Sequence, residues 1–256
     1  MRLNKRRMGG ARVRSMARVG IGAAALGMVL GGCATGPNAN PRDPLEPLNR
    51  SVFSFNDALD RALLQPVATA YKQVVPQPVR SGVGNFFANL EDAWSAANSV
   101  VQFKGQAAAE SALRFGVNTF FGLVGVIDLA SDLGIERHSE DFGKTLGHWG
   151  VGSGAYIMLP FLGPSTLRDA LALPVDFRFD IVSNIEHIPT RNTLKAVNLI
   201  DSRASLLNAT AVIEGAALDK YSFTRDAFLQ RRRNAIFDGN PPDEDPDVKA
   251  EKAPAK

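Results

Sequence analysis

At 256 residues with 45% hydrophobic side chains, the chain holds enough apolar material for one large domain or two small ones, which excludes an intrinsically disordered protein. Its pI of about 9.1 would suggest a nucleic-acid binder. However, Arg2, Lys5, Arg6, Arg7, Arg12, Arg14 and Arg18 all fall within the first 32 positions, which hold no acid; with those seven set aside, 22 basic residues face 26 acidic ones and the remainder carries about −4.

Residues 1–32 show the three parts of an export signal: a charged stretch to Arg18, an apolar stretch from Val19 to Leu30, and a small-residue site at Gly31-Gly32-Cys33. The apolar run is shorter than the ~20 residues that a transmembrane helix needs. Leu30-Gly31-Gly32-Cys33 resembles the bacterial lipobox, in which the Cys thiol takes a diacylglyceryl group, the signal is cut before it, and the new amino end is acylated. The alternative is an ordinary signal peptide with a chance Cys near its end. Cys33 is the single Cys of the chain, and lipidation would remove an otherwise reactive exported thiol. Several acyl chains, at ~0.8 kcal/mol per buried methylene, exceed what stable anchoring requires. Residue 34 is Ala rather than Asp, which under the common sorting rule favours the outer membrane.

Residues 33–42 read as a lipidated tether rich in Pro, Asn and Gly, and 238–256 as a disordered tail of Pro, Asp and Lys; neither can bury enough surface to fold. Residues 43–237 form one continuous region without a long linker, read as a single mainly helical domain. Val52, Phe55, Leu59 and Leu63 recur at helical spacing and predict a helix that stops before Gln65-Pro66. A second helix is expected from Asn89, as N-cap, to Gln102, with Leu90, Trp94, Ala97 and Val101 on its buried face. A third is expected from Gln106 to about Phe121. From Thr190 to Phe237 the pattern predicts two or three more, burying Leu194, Val197, Leu206, Leu207, Ile213, Leu218 and Phe228. No stretch alternates with period two for long enough to predict a sheet.

Three segments carry more information. Phe115 to Leu133 is nearly uncharged before Asp128, and reads either as a kinked core helix or as a segment lying in a membrane or lining an apolar passage. Gly143, Gly147, Gly150, Gly152 and Gly154 interleave with Phe142, Leu146 and Trp149, which suits tight turns or a hinge. The phosphate-loop, dinucleotide and GxSxG spacings are all missing from this stretch. Arg231-Arg232-Arg233 suggests a solvated helix end, or contact with lipid phosphates or an acidic partner. His138, His148 and His187 are too scattered in sequence to suggest a metal site and are expected in loops or caps.

Laid end to end, DPLEPLNRSVFSFN (43–56), VPQPVRSGVGNFFANL (75–90), FGVNTFFGLVGVIDLA and DFGKTLGHWGVGSGAYIMLPFLGPSTLRD (141–169) resemble the VacJ/MlaA family of outer-membrane lipoproteins. The likeness covers about 43–180 and weakens to about 237. Ala155 departs from the Pro usual in that family before the Tyr. The resemblance implies an all-α, ring-like body of amphipathic and interfacial helices in the inner leaflet of the Gram-negative outer membrane, on its periplasmic side, usually bound to a trimeric porin. Phospholipids strayed into the outer leaflet would enter an amphipathic channel and pass to a soluble periplasmic carrier, which maintains lipid asymmetry. No cofactor or metal is implied beyond the acyl groups on Cys33, and no covalent chemistry. By position in the motifs, Phe121 and Leu123 are expected to line the channel and Gly150 and Gly152 to form a hinge. Asn49, Arg50 and Asn56 are expected to fix helix ends and loop contacts. Two competing readings are a phospholipase-like lipid-modifying enzyme, for which no nucleophile and base are recognisable, and a structural lipoprotein that scaffolds a porin.

Overall fold

The structure is a computed structural model that describes residue 40 and residues 42–242. The signal segment 1–32, Cys33, most of the tether and residues 243–256 of the tail lie outside the described residues.

The body opens with α1 (Glu46–Leu59), a π-helical turn (Asp60–Leu64) and α2 (Gln65–Val74). Pro66, expected to end the first helix, instead stands in the opening turn of α2. The wider turn before it, closed by Gln65 N–H donating to the Asp60 carbonyl, accommodates the proline's missing donor and its ring. Pro47, Pro78 and Pro189 likewise stand at the first or second position of a helix, where a missing N–H costs nothing.

Next come α3 (Gln77–Val101) and α4 (Gly105–Phe120), packed together through the short Gln102–Lys104 turn. The expected helix from Asn89 is thus the second half of a longer one, and Asn89 is not its cap. Asn89 lies mid-helix and donates from Nδ2 to Thr119 Oγ1 at 2.9 Å. The inward face of α3 is polar: Asn89, Asp92, Ser95, Asn98, Ser99 and Gln102 are each at most 2% exposed. Ser111, Arg114 and Asn118 meet them from α4, also buried. Of the apolar stripe expected to face inward, Leu90 and Trp94 are only partly buried and Ala97 and Val101 are exposed, Val101 at 52%.

The remaining elements are α5 (Leu129–Asp132), α6 (Phe142–His148), β1 (Tyr156–Leu159), β2 (Gly163–Thr166), α7 (Leu167–Phe179), a short 3-10 turn (Val182–Asn184), α8 (Ile188–Ala216) and α9 (Lys220–Ile236). Caps mark their starts: Asp128, Asp141, Thr166 and Asp219 each accept from a backbone N–H of the following turn. The strands form an antiparallel hairpin with Tyr156 opposite Thr166 and Met158 opposite Pro164. At four residues each they are too short for a period-two signal in sequence. Alternation still holds, since Tyr156 and Met158 are buried against Tyr221 of α9, with Val52, Phe53, Phe228 and Leu229 around them. The hairpin is clamped to α1 by side-chain amides. Asn49 donates to the Tyr156 carbonyl (3.0 Å) and accepts from Met158 N–H (2.8 Å), and Asn56 donates to the Leu159 carbonyl (2.9 Å).

Residues 190–237 form two helices, but Leu206 (55% exposed) and Leu218 (109%) are not core. Across the described residues the apolar interior is small, and six of its twelve buried apolar residues are Ala.

Candidate functional site

A cavity of about 540 Å³ lies inside the collar formed by α3, the 137–141 segment, α7, α8 and α9. Its wall is amphipathic. Trp94, Leu173, Phe177 and Phe228 alternate around it with Glu91, Asp92, Asp176, Asp180, Lys195 and Arg232.

Each side of the wall is fixed by the sequence around it. Ser95 of α3 accepts from Glu140 N–H (2.9 Å) and donates to the His138 carbonyl, which pins the 138–140 segment against the helix. Asp176 of α7 accepts from Trp94 Nε1 (2.8 Å) and from Phe142 N–H (2.9 Å), joining three elements, and burial pushes its carboxyl up. Arg232 of α9 forks onto Asp141 at 2.5 and 2.6 Å, and its Nε lies 2.8 Å from Asp169 Oδ2 as an ion pair without hydrogen-bond alignment. Burial raises the Asp141 carboxyl, but the Arg232 hydrogen bonds and charge outweigh it and hold the group below its ordinary range. Gly143 makes this cluster possible, because a Cβ there would stand 2.6 Å from both Arg232 Nη2 and Asp169 Oδ1.

Behind the wall, Arg114 (1% side-chain exposure) donates to both Asp128 oxygens at 2.9 Å and to the Ile135 carbonyl at 2.7 Å, and lies 3.4 Å from Asp92. Arg137 reaches Asp92 from the other side at 3.0 Å. Burial still lifts the Asp92 carboxyl above its ordinary value against both arginines. Asp128 is pushed up by burial and pulled down further by Ser131, Asn118 and Arg114, to about 2.

Outside the collar the chemistry reverses. Phe103 (83% exposed), Phe120 (83%), Phe161 (72%) and Leu171 (71%) stand on the surface, Phe103 edge-on to Trp149 and Phe161 edge-on to Phe55. A groove of about 470 Å³, bordered by Val79, Val83, Phe86, Val126, Leu194 and Val197, is almost wholly apolar. Phe87, itself buried, borders both the groove and the charged passage. Among the described residues no helix is long and apolar enough to cross a membrane.

Of the residues singled out in sequence, Cys33 lies outside the described residues. Phe121 and Leu123 do not border the passage or the groove. They stand 75% and 68% exposed on the turn after α4, with Leu123 and Val124 at φ 53 and 59. The inner side of that turn is taken by Asn118, which donates to Asp128 and accepts from Ala130 N–H, so the apolar side chains are turned outward. Gly150 and Gly152 sit together in the loop after α6. Gly150 takes φ 85, and a Cβ at either would meet nothing within 4 Å.

His138 approaches Glu110 at 2.5 Å with Glu136 close by, a grouping that sequence spacing hid. The solvated helix end suggested for Arg231-Arg232-Arg233 does not describe Arg232, which is a cross-link. Asp176 and Lys195, which also border the cavity, were missed because each stands between apolar neighbours, and Glu91 because nothing sets it apart beside Asp92; the available signal was the polar run Asn89, Asp92, Ser95, Asn98 and Gln102, spaced at three and four.

A helical collar with charged groups facing a cavity and large apolar side chains outside is the reverse of a water-soluble domain, and defines a protein built to sit in apolar surroundings while keeping a polar interior. The chain belongs to the MlaA lipoprotein family, whose model matches residues 41–235. It is 36% identical to the intermembrane phospholipid transport system lipoprotein MlaA of Escherichia coli K12, over 90% of this chain and 94% of the relative. It is 32% identical to the protein of the same description from Haemophilus influenzae, over 83% and 88%. A solved chain, described as the structural basis for maintenance of bacterial outer membrane lipid asymmetry, superposes with a TM-score of 0.67 at 36% identity, covering 77% of this chain and 99% of that one.

Proposed function

We propose that this protein, anchored through acylated Cys33 on the periplasmic side of the outer membrane, removes mislocalised phospholipids from the outer leaflet and hands them to a soluble periplasmic carrier. The observation that carries the reading is the inverted side-chain distribution around the 540 Å³ passage. A phospholipid needs a polar path for its headgroup and an apolar one for its tails. The charged wall offers the first; the groove offers the second, with Phe87 at the junction. No bond is made or broken in such a transfer. A trimeric porin bound to the exposed apolar belt would hold the collar in place, and the loop at Gly150 and Gly152 is the proposed hinge that opens and closes the passage.

The test is a strain lacking the gene. Outer-leaflet phospholipid is expected to rise, and a wild-type copy to restore it. Cys33→Ala and Asn198→Trp, the latter filling the passage from α8, are expected to fail to restore it while the Asn198→Trp protein still reaches the membrane. Full restoration by Asn198→Trp overturns the passage route and leaves a porin scaffold as the role. Release of lysophospholipid by the purified protein overturns the non-enzymatic reading.

A further inference from the structure

The charges that line the passage do not balance. Asp92 is paired with Arg114 and Arg137, Asp141 and Asp169 with Arg232, and Glu140 with Lys104. Among the described residues no cation pairs with the remaining acids of the wall, Glu91, Asp176 and Asp180. Asp176 accepts only from Trp94 and Phe142, and Asp180 only from its own turn at Val182 and Ser183. One cation is left over: Lys195, on the same face of α8 as Asn198 three residues on, makes no ion pair among the described residues.

The excess is concentrated. Burial raises the Glu91 carboxyl, and Asp92 and Asp180 push it up further against the pull of Arg137, so these carboxylates feel one another across the wall. Beside them Trp94 and Phe179 stack at 4.8 Å and also border the passage, offering ring faces of the kind that attract cations. A cleft lined mainly by one sign of charge concentrates the opposite sign. The wall therefore presents two complementary spots, an acidic and aromatic one at Glu91, Asp180 and Trp94, and a basic one at Lys195.

We propose that the passage selects phospholipids whose headgroup carries a positive nitrogen beside its phosphate, with the ammonium against Glu91 and Asp180 and the phosphate against Lys195. This rests on the phospholipid route proposed above and adds the headgroup it takes. A glycerol headgroup brings no cation to the carboxylates and carries a net negative charge into a region already short of positive ones. Ethanolamine and choline headgroups share the required charge; ethanolamine alone adds N–H donors.

The test uses the full-length lipidated protein, purified in detergent and incubated with mixed micelles holding equal amounts of phosphatidylethanolamine, phosphatidylcholine and phosphatidylglycerol; retained lipid is read by mass spectrometry. The two ammonium lipids are expected to be enriched about five- to tenfold over phosphatidylglycerol, the effect of one uncompensated charge in a partly screened site. Glu91→Gln is expected to reduce the ratio, and Glu91→Gln with Asp180→Asn to bring it close to unity in a protein that still melts cooperatively. Enrichment of ethanolamine alone assigns direct N–H bonding, and equal enrichment of both assigns charge; either supports the inference. Equal retention of all three lipids by the wild type, or a ratio unchanged in the double variant, overturns the headgroup selection and leaves the route standing. Retention of no phospholipid at all overturns the route itself, and the inference with it.

Discussion

Replacing Arg114 with Met tests whether polar contacts inside the collar, rather than an apolar core, hold this fold together. The guanidinium is 1% exposed and serves Asp92 (2%) and Asp128 (23%) together. Without it Asp92 keeps only Arg137, which is 37% exposed, and Asp128 keeps neutral donors alone. Removing one member of a buried charge pair costs ~3–5 kcal/mol, because the abandoned charge stays desolvated. At ~2–4 °C per kcal/mol for a chain of this size, the melting temperature in detergent should fall by roughly 10 °C. Lys at 114 keeps the charge but loses the fork onto Asp128 and the bond to the Ile135 carbonyl, so its melt should fall between the two. The control is Lys220→Ala, whose partner Glu214 lies at the surface; its melt should stay close to that of the wild type, since screened surface pairs contribute little. An Arg114→Met protein that melts within ~2 °C of the wild type refutes the reasoning, since the buried network would then contribute under 1 kcal/mol.

The Asp128 carboxyl is held at about 2 in the fold, below its unfolded value of ~3.9, so its stabilisation is complete above that value and is lost as pH falls from ~4 towards 2. Melting curves across that window should drop more steeply for the wild type than for Asp128→Asn; parallel slopes would count against the assignment. At the proposed hinge, Gly150→Ala must place a Cβ at φ 85 and should cost ~1–2 kcal/mol, whereas Gly152→Ala should melt as the wild type does. Equal melts for the two would show that the Gly150 backbone angle carries no cost. Asn49→Ala removes the partners of the buried Met158 N–H and Tyr156 carbonyl, and at ~1–3 kcal/mol for each orphaned group should loosen the hairpin, read as faster proteolysis between α6 and α7.

Much of the helical skeleton was legible in the sequence. The helix expected from Gln106 to about Phe121 differs by one residue at each end from α4, whereas the cap expected at Asn89 falls mid-helix and the stop expected at Gln65-Pro66 falls where α2 begins. What was not legible was which face points inward. Leu90, Trp94, Ala97 and Val101 form a real stripe, but assigning it to the core assumes water outside, and the buried run from Asn89 to Gln102 shows that assumption to be wrong for α3. The structure starts α3 at Gln77, well before the expected Asn89, and the added stretch includes Gly82 and Gly84. Gly82 is needed where the Val126 turn crosses the helix, since a Cβ there would stand 2.8 Å from Val126 Cγ1. Phe121 and Leu123 likewise stand outward because Asn118 takes the inner side of their turn. Arg232 stood out as part of a basic run, but its partners Asp141 and Asp169 could not be read, because they lie far away in the chain and nothing local marks them.

The outward-facing phenylalanines also bear on how such a chain is made. A water-soluble enzyme hides its greasy residues by folding, but here folding leaves Phe103, Phe120 and Phe161 largely exposed, with Phe103 touching Trp149 and Phe161 touching Phe55. Adopting the native shape therefore removes little of the tendency of these side chains to clump in water. On the proposed location, an escort must shield the finished shape, as well as the nascent one, until lipid takes over.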